Sequence, residues 1–260
     1  WNKMISQNQI HNVTCVTQDK RQGKSNIWYF GTGELDGSSA SGGGAYFQGN
    51  GIYKSYDNGL TWDSLPYTAS NNPQTFDSRF DYVWDIEIDN SIDSLDVIYA
   101  CTYGNIWRSE DGGYNWNKTL GGNGNHYYTS IKIDSNGTAY GALSSVYSNT
   151  IQKGIWRSED GINWINILPN NFPSVYGRIS IDINPLNQNE VYFLCAETTG
   201  FGQYTNVFFG GETWTSLWKY TYISGDGSGN GGVWEDLSIN IPANRPTDFD
   251  NFNAQGGYDL

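Results

Sequence analysis

The chain has 260 residues, enough for a sizeable core, with 11 Trp, 19 Tyr and 32 Gly, and its 14 Lys+Arg against 27 Asp+Glu give a net charge of −13. Such a profile fits many short strands joined by tight turns, and the acidic surface argues against nucleic acid or an anionic membrane as partner. No apolar run approaches the roughly 20 residues of a membrane span; no signal peptide is recognised at Trp1, which opens in mid-pattern, so the chain reads as a mature or excised piece of something longer.

In chain order, Asn12–Gln18 alternates weakly as a first inner strand, and Asn26–Gly31 follows as its neighbour. A long Gly/Ser stretch, Gly33–Asn50, then leads to a hairpin, Gly51-Ile52-Tyr53-Lys54-Ser55-Tyr56-Asp57-Asn58-Gly59-Leu60-Thr61-Trp62. The same order returns three times. Asp85–Asp89 and Val97–Thr102 precede a second hairpin, Asn105–Trp116, and Ser130–Asp134 and Thr138–Leu143 precede a third, Gly154–Trp164. Arg178–Ile183 and Val191–Ala196 precede an eroded fourth, from Leu217–Tyr222 to Val233–Leu237. Inner strands alternate Ile with polar residues, as half-buried strands do, and each hairpin turns on Asp and Gly. Repeats about 50 residues long, each one sheet unit, point to a repeat architecture. The expected units are residues 12–65, 83–120, 128–168 and 176–238, with the start of a fifth at 254–260, in one all-β segment.

The pattern Ser-x-Asp-x-Gly-x-Thr-Trp resembles the Asp-box, or BNR repeat, of sialidase-like and sortilin-like β-propellers. Ser55, Asp57, Gly59, Thr61 and Trp62 match in full. Ser109, Asp111, Gly113 and Trp116 match with Asn115 in the Thr place, and Ser158, Asp160 and Trp164 match with one residue deleted. The resemblance implies four-stranded antiparallel blades in which the box is a folding element remote from any active site. It also implies a ring of six or more blades, so further blades of the same polypeptide are expected outside Trp1–Leu260. Trp62, Trp116, Trp164 and Trp234 are expected in the blade core.

Cys15, Cys101 and Cys195 make an odd set, and the latter two share an alignment column with Gly31 and Ala142. That column calls for a small buried residue, and no disulfide or metal site is expected.

Connections are sharply one-sided. Those between first and second strands are short, while the opposite face collects Gly33–Asn50, Pro66–Val83, Gly121–Tyr127, Ser144–Lys153, Pro169–Tyr176, Thr198–Ser216 and Asn240–Asn253, with Tyr103-Gly104 the short exception. Function gathers on loops held by a rigid scaffold, so this face is expected to bind ligand. Its aromatics either pack the loops down or stack on sugar faces beside carboxylates. Asp36, Tyr46, Phe47, Trp84, Asp85, Tyr127, Tyr128 and Trp214 are the expected ligand contacts.

No catalytic set is assigned. The Arg-Ile-Pro opening of many sialidases is absent, and only Arg21, Arg79, Arg178 and Arg245 lie outside the repeat hairpin column. A two-carboxylate glycosidase would draw on Glu34, Asp36, Asp81, Asp85, Glu197 or Asp248, but 27 acids make chance pairs easy to find. Asp226–Gly231 resembles the start of a calcium loop, yet an enlarged box turn accounts for it better, and no metal or cofactor is expected. Asp63-Ser64-Leu65 and Asp93-Ser94-Leu95 are similar to the O-glycosylation sequence of secreted Bacteroidota proteins, and Gly31–Glu34 with its Gly-rich loop also resembles surface proteins of that phylum. This implies an extracellular or cell-surface address and type IX secretion machinery as a partner. The leading expectation is a recognition or adhesion scaffold for a polysaccharide or a surface protein, and the alternative is a glycoside hydrolase acting on a polysaccharide through paired carboxylates.

Overall fold

Four antiparallel sheets are built among the described residues, three of them in strict chain order and one with an inserted edge strand, because each repeat supplies neighbouring segments that alternate apolar and polar residues and pair with the next along the chain. The structure, a computed structural model, describes residues 12–35, 47–69, 75–123, 128–146, 148, 152–206 and 212–242. The chain divides into two compact units, one of Trp1–Gly121 with Ser135–Gly137 and the other of Gly122–Asp134 with Thr138–Leu260. Among the described residues no helix is long and apolar enough to cross a membrane.

In the first unit, β1 (Val13–Gln18), β2 (Trp28–Thr32), β3 (Ile52–Ser55) and β4 (Asp63–Ser64) form one sheet. The other is β5 (Val83–Ile88), β6 (Ile98–Thr102), β7 (Asn105–Ser109) and β8 (Asn117–Leu120), again in sequence order. Their shared core contains Tyr29, Ile52, Leu65, Phe80, Val83, Ile86, Ile98 and Trp116. Gly31 explains the small-residue column: a Cβ there would meet Val83 Cγ1 at 2.6 Å, so the first strand of the next blade lies directly on it. Cys101, Ala142 and Cys195 in the same column are also buried, and Cys15, Cys101 and Cys195 form no disulfide with one another. Polar groups tie the two sheets as well. Arg21 pairs with Asp19 at 2.5 Å and Asp96 at 2.9 Å and donates to the carbonyls of Ile92 and Leu95.

The second unit holds β9 (Thr129–Ile133), β10 (Ala139–Leu143), β11 (Gly154–Ser158) and β12 (Ile165–Asn166) in one sheet. Its other sheet has five strands: β13 (Ile179–Ile183), β14 (Glu190–Ala196), β15 (Gln203–Asn206), β16 (Glu212–Tyr222) and β17 (Gly232–Asp236). Trp218, Phe193, Tyr220, Tyr140 and Tyr176 anchor its core. Here the stretch Thr198–Ser216, expected as a loop, is largely a hairpin. Thr215 pairs with both Ala196 and Gln203, so β15 lies along the edge of β16 opposite β14, and β17 continues that edge at Trp218–Tyr222. The strand expected to begin at Leu217 therefore begins at Glu212.

The three Ser-x-Asp turns share one hydrogen-bond plan. Ser55 Oγ donates to Asp57 Oδ1 and accepts from Gly59 N, while Asp57 accepts from the backbone and hydroxyl of Thr61. Ser109, Asp111, Gly113 and Asn115 repeat it, and so do Ser158, Asp160, Gly161 and Asn163, with the amide side chain in place of the hydroxyl. The tryptophan that follows folds back over its turn, Trp62 Nε1 donating to Gly59 O at 3.0 Å and Trp116 Nε1 to Gly113 O at 2.8 Å. Of the four tryptophans expected in the blade core, Trp116 is buried, while Trp62 and Trp164 are half-buried; Trp234, also half-buried, packs against the second unit's core and donates to the Ile167 carbonyl at 2.8 Å.

These turns carry two expected outcomes. Asp111→Ala removes the acceptor for the Tyr114 and Asn115 amides and should cost about 1–2 kcal/mol by denaturant titration, the freed donors being partly hydrated. Asp160 is held down to about 2: burial would raise it, but donation from Asn163, Ile162 and Ser158 outweighs that. A depressed carboxylate stabilises the fold above its unfolded value, ~4, and loses that contribution as pH falls toward its folded value. Unfolding midpoints measured from neutral pH down to ~2 should therefore fall less steeply in Asp160→Asn than in the parent below ~4. A parallel decline in both proteins would remove Asp160 from the account.

Candidate functional site

In the first unit the end of the sheets that bears the long connections gathers an aromatic cluster around β5. Both inner strands carry a bulge there: register shifts between Val13 and Cys15 in β1, and between Val83 and Asp85 in β5. The extra residues are Thr14, whose hydroxyl donates to the Val83 carbonyl, and Trp84. A bulge breaks the pleat and re-aims the side chain it carries, so Trp84 leaves the alternation of β5.

Trp84 lies nearly parallel to Tyr82, with centroids 6.3 Å apart and 10° between planes, and Phe76 stacks on Tyr82 at 5.5 Å. Tyr103 closes the group, 5.4 Å from Phe76 and 6.4 Å from Trp84. Tyr82 is buried as the hub, Trp84 and Tyr103 are half-buried, and Phe76 is 44% exposed. The result is a platform with one apolar edge open to solvent.

Charged groups flank it. Trp84 Nε1 donates to Glu34 Oε1 at 3.2 Å. Glu34 is positioned by a two-bond bridge to Phe47, each backbone N–H donating to the other's carbonyl at 2.8 Å. On the other side Arg79 lies over the Tyr103 ring, 5.1 Å from its centroid, and donates to the Tyr103 carbonyl at 3.3 Å. Arg79 opens a single helical turn, Arg79–Asp81, capped reciprocally by Ser78 and Asp81. Asp81 is fully buried and accepts from the amides of Asp77 and Ser78, which makes it a structural acid and removes it from the catalytic candidates.

Of the expected ligand contacts, Phe47 and Trp84 are thus brought together through Glu34, with Asp85 half-buried next to Trp84 in β5. Asp36, Tyr46 and Tyr127 lie outside the described residues. The other two belong to the second unit. Tyr128 is half-buried with the Arg178 guanidinium 4.6 Å above its ring, and Trp214 lies in β16 rather than in a loop, 5.3 Å from Tyr204. In that unit Glu197 adopts φ +56, and its carboxylate fills the space beside Gly177 where a Cβ would sit, 1.9 Å from Oε2. Several loop aromatics are packing residues after all: Phe80, Phe172 and Tyr176 are buried in the two cores. Tyr103 escaped the sequence argument because it occupies the one short connection on this face. The signal available was its position immediately after β6.

No protein-family model matches the chain. Among curated proteins it is similar to a xyloglucanase of Paenibacillus sp, 27% identical over 203 residues covering 66% of this chain and 19% of the relative. It is also similar to the xyloglucanase Xgh74A of Acetivibrio thermocellus, 24% identical over 197 residues covering 66% and 23%. The chain therefore spans about a fifth of the length of these relatives. Among solved structures, the GH74 enzyme of Niastella koreensis superposes with a TM-score of 0.52 at 19% identity, covering 85% of this chain and 28% of that one. The GH74 xyloglucanase of Xanthomonas campestris gives 0.51 at 14% identity, covering 85% and 29%. The likeness is one of fold: antiparallel blade-like sheets of a β-propeller, three of those described having four strands and one five. These relatives overturn the expectation of a non-catalytic recognition scaffold and favour the hydrolase alternative. The sequence argument ranked the hydrolase second because pairs among 27 acids are easy to find by chance, and a carboxylate's role is set by neighbours in space.

Proposed function

We propose that this chain is part of a secreted β-propeller glycoside hydrolase that cleaves a polysaccharide, with residues 12–65, 83–120, 128–168 and 176–238 as blades. The observation that carries the reading is the carboxylate of Glu34 held against the Trp84 indole at the edge of an aromatic platform. A pyranose ring stacks its C–H face on such a surface while its hydroxyls seek charged partners. Glycosidic cleavage requires two carboxylates, one donating a proton to the leaving oxygen and one acting as base or nucleophile. Glu34 is the acid the platform presents, and Asp85, next to Trp84, is the candidate for a second contact. Phe47 extends the surface, and Asp36 and Tyr46 remain contact candidates from the sequence; Trp214 with Tyr204, and Tyr128, are contact candidates of the second unit. In this reading the Ser-x-Asp turns are Asp-boxes that hold the blades and take no part in chemistry. A polymeric substrate too large to enter a cell places the enzyme outside it.

The test is release of reducing ends by the full-length protein from a panel including xyloglucan, xylans and arabinan. Trp84→Ala should weaken polysaccharide binding roughly 10- to 100-fold, as loss of a central aromatic anchor does, whereas Asp111→Ala should leave the affinity of the folded fraction unchanged. A protein that releases no reducing ends and is retained on none of these polymers would sink the reading.

A further inference from the structure

We infer that the site selects a mainly neutral polysaccharide carrying sparse uronic-acid residues, and that Arg79 is the residue that reads the carboxylate; this rests on the hydrolase reading above. Arg79 is one of only 14 basic residues in a chain of net charge −13, and it is placed on the aromatic platform itself. Its guanidinium is held from two directions, 5.1 Å from the Tyr103 ring centroid and with one N–H on the Tyr103 carbonyl. The segment beneath it is rigid, since Ser78 and Asp81 cap the turn from which it projects. The described partners of the guanidinium use one nitrogen and one face. A planar fork with donors to spare is the group that recognises a carboxylate through paired hydrogen bonds. Stacking keeps it preorganised, so little side-chain entropy is lost when the acid arrives.

The platform also has a polarity. Glu34 lies at the Trp84 side and Arg79 at the Tyr103 side, so a glycan crossing from Trp84 to Tyr103 presents a neutral unit to the carboxylate and a substituent to the guanidinium. Dense polyuronates are excluded by the same charges. A polyanion would set successive carboxylates against Glu34 and against the acidic surface at large, and like charges repel on approach. One arginine beside one glutamate suits one acid among neutral sugars.

Glucuronoxylan oligosaccharides bearing a single uronate provide the probe, compared with the same oligosaccharides after chemical reduction of that carboxyl to a neutral alcohol. With the full-length protein, the acidic form is expected to bind roughly 10- to 100-fold more tightly than the reduced form, the range of a charge-assisted contact. Arg79→Gln should abolish that difference, and Arg79→Lys should restore part of it. Equal binding of the two forms by the parent protein, or an equal loss for both in Arg79→Gln, overturns the inference. Where neutral polysaccharides are cleaved and the acidic probe holds no advantage, Arg79 selectivity alone fails; where no polysaccharide is bound at all, the hydrolase reading fails with it.

Discussion

Gly33→Ala is expected to destabilise the protein by about 3–5 kcal/mol and to abolish polysaccharide cleavage in whatever fraction still folds. Gly33 adopts φ +95, and a Cβ built there would meet the Asp81 carbonyl oxygen at 1.8 Å. That carbonyl accepts from Gly49 N at 2.8 Å, so three segments are locked at one point: the exit of β2, the approach to β3 and the turn that carries Arg79. An added methyl must push backbone, and no flexible side chain is at hand to yield. Because Glu34 is the next residue, any shift also moves the carboxylate away from Trp84. Differential scanning calorimetry with parallel reducing-end assays checks both parts. A variant melting like the parent would mean that the Gly33–Asp81 contact is far looser than its geometry.

Glu34→Gln is expected to lower the rate of hydrolysis by ~10²–10⁴, the range of a lost general acid or base, with melting unchanged and binding nearly retained. Glutamine keeps an acceptor for the Trp84 N–H, so the platform should hold its shape. Asp85→Asn and Glu197→Gln are the comparisons. A rate collapse in Glu197→Gln with Glu34→Gln fully active would transfer the chemistry to the second unit, where Glu197 is held at positive φ against Gly177. The readout is a split between kcat and KM: a residue that touches the reacting bond lowers kcat, whereas one that only binds raises KM.

Much of this molecule follows from short-range rules in the sequence alone. The alternation of Asp85-Ile86-Glu87-Ile88 defines a half-buried strand wherever it is placed, and the Ser55–Asp57–Gly59–Thr61 turn closes on itself within seven residues. Strand order, turn positions and the small-residue column were legible because each depends on the side-chain period or on contacts a few residues apart. The half-burial of Trp62, the hairpin of β15 with β16 and the place of Trp214 in a strand were not, since each depends on what an edge meets in three dimensions. The site was the least legible part. Glu34, Phe76, Arg79, Trp84 and Tyr103 come from three separate segments, and a bulge in β5 decides which way Trp84 faces. No local pattern encodes that bulge. It arises where β5 pairs with β6 while Thr14 of β1 bonds the Val83 carbonyl, so the register between distant strands, and not the composition of any one of them, brings a carboxylate, an indole and a guanidinium to the same surface.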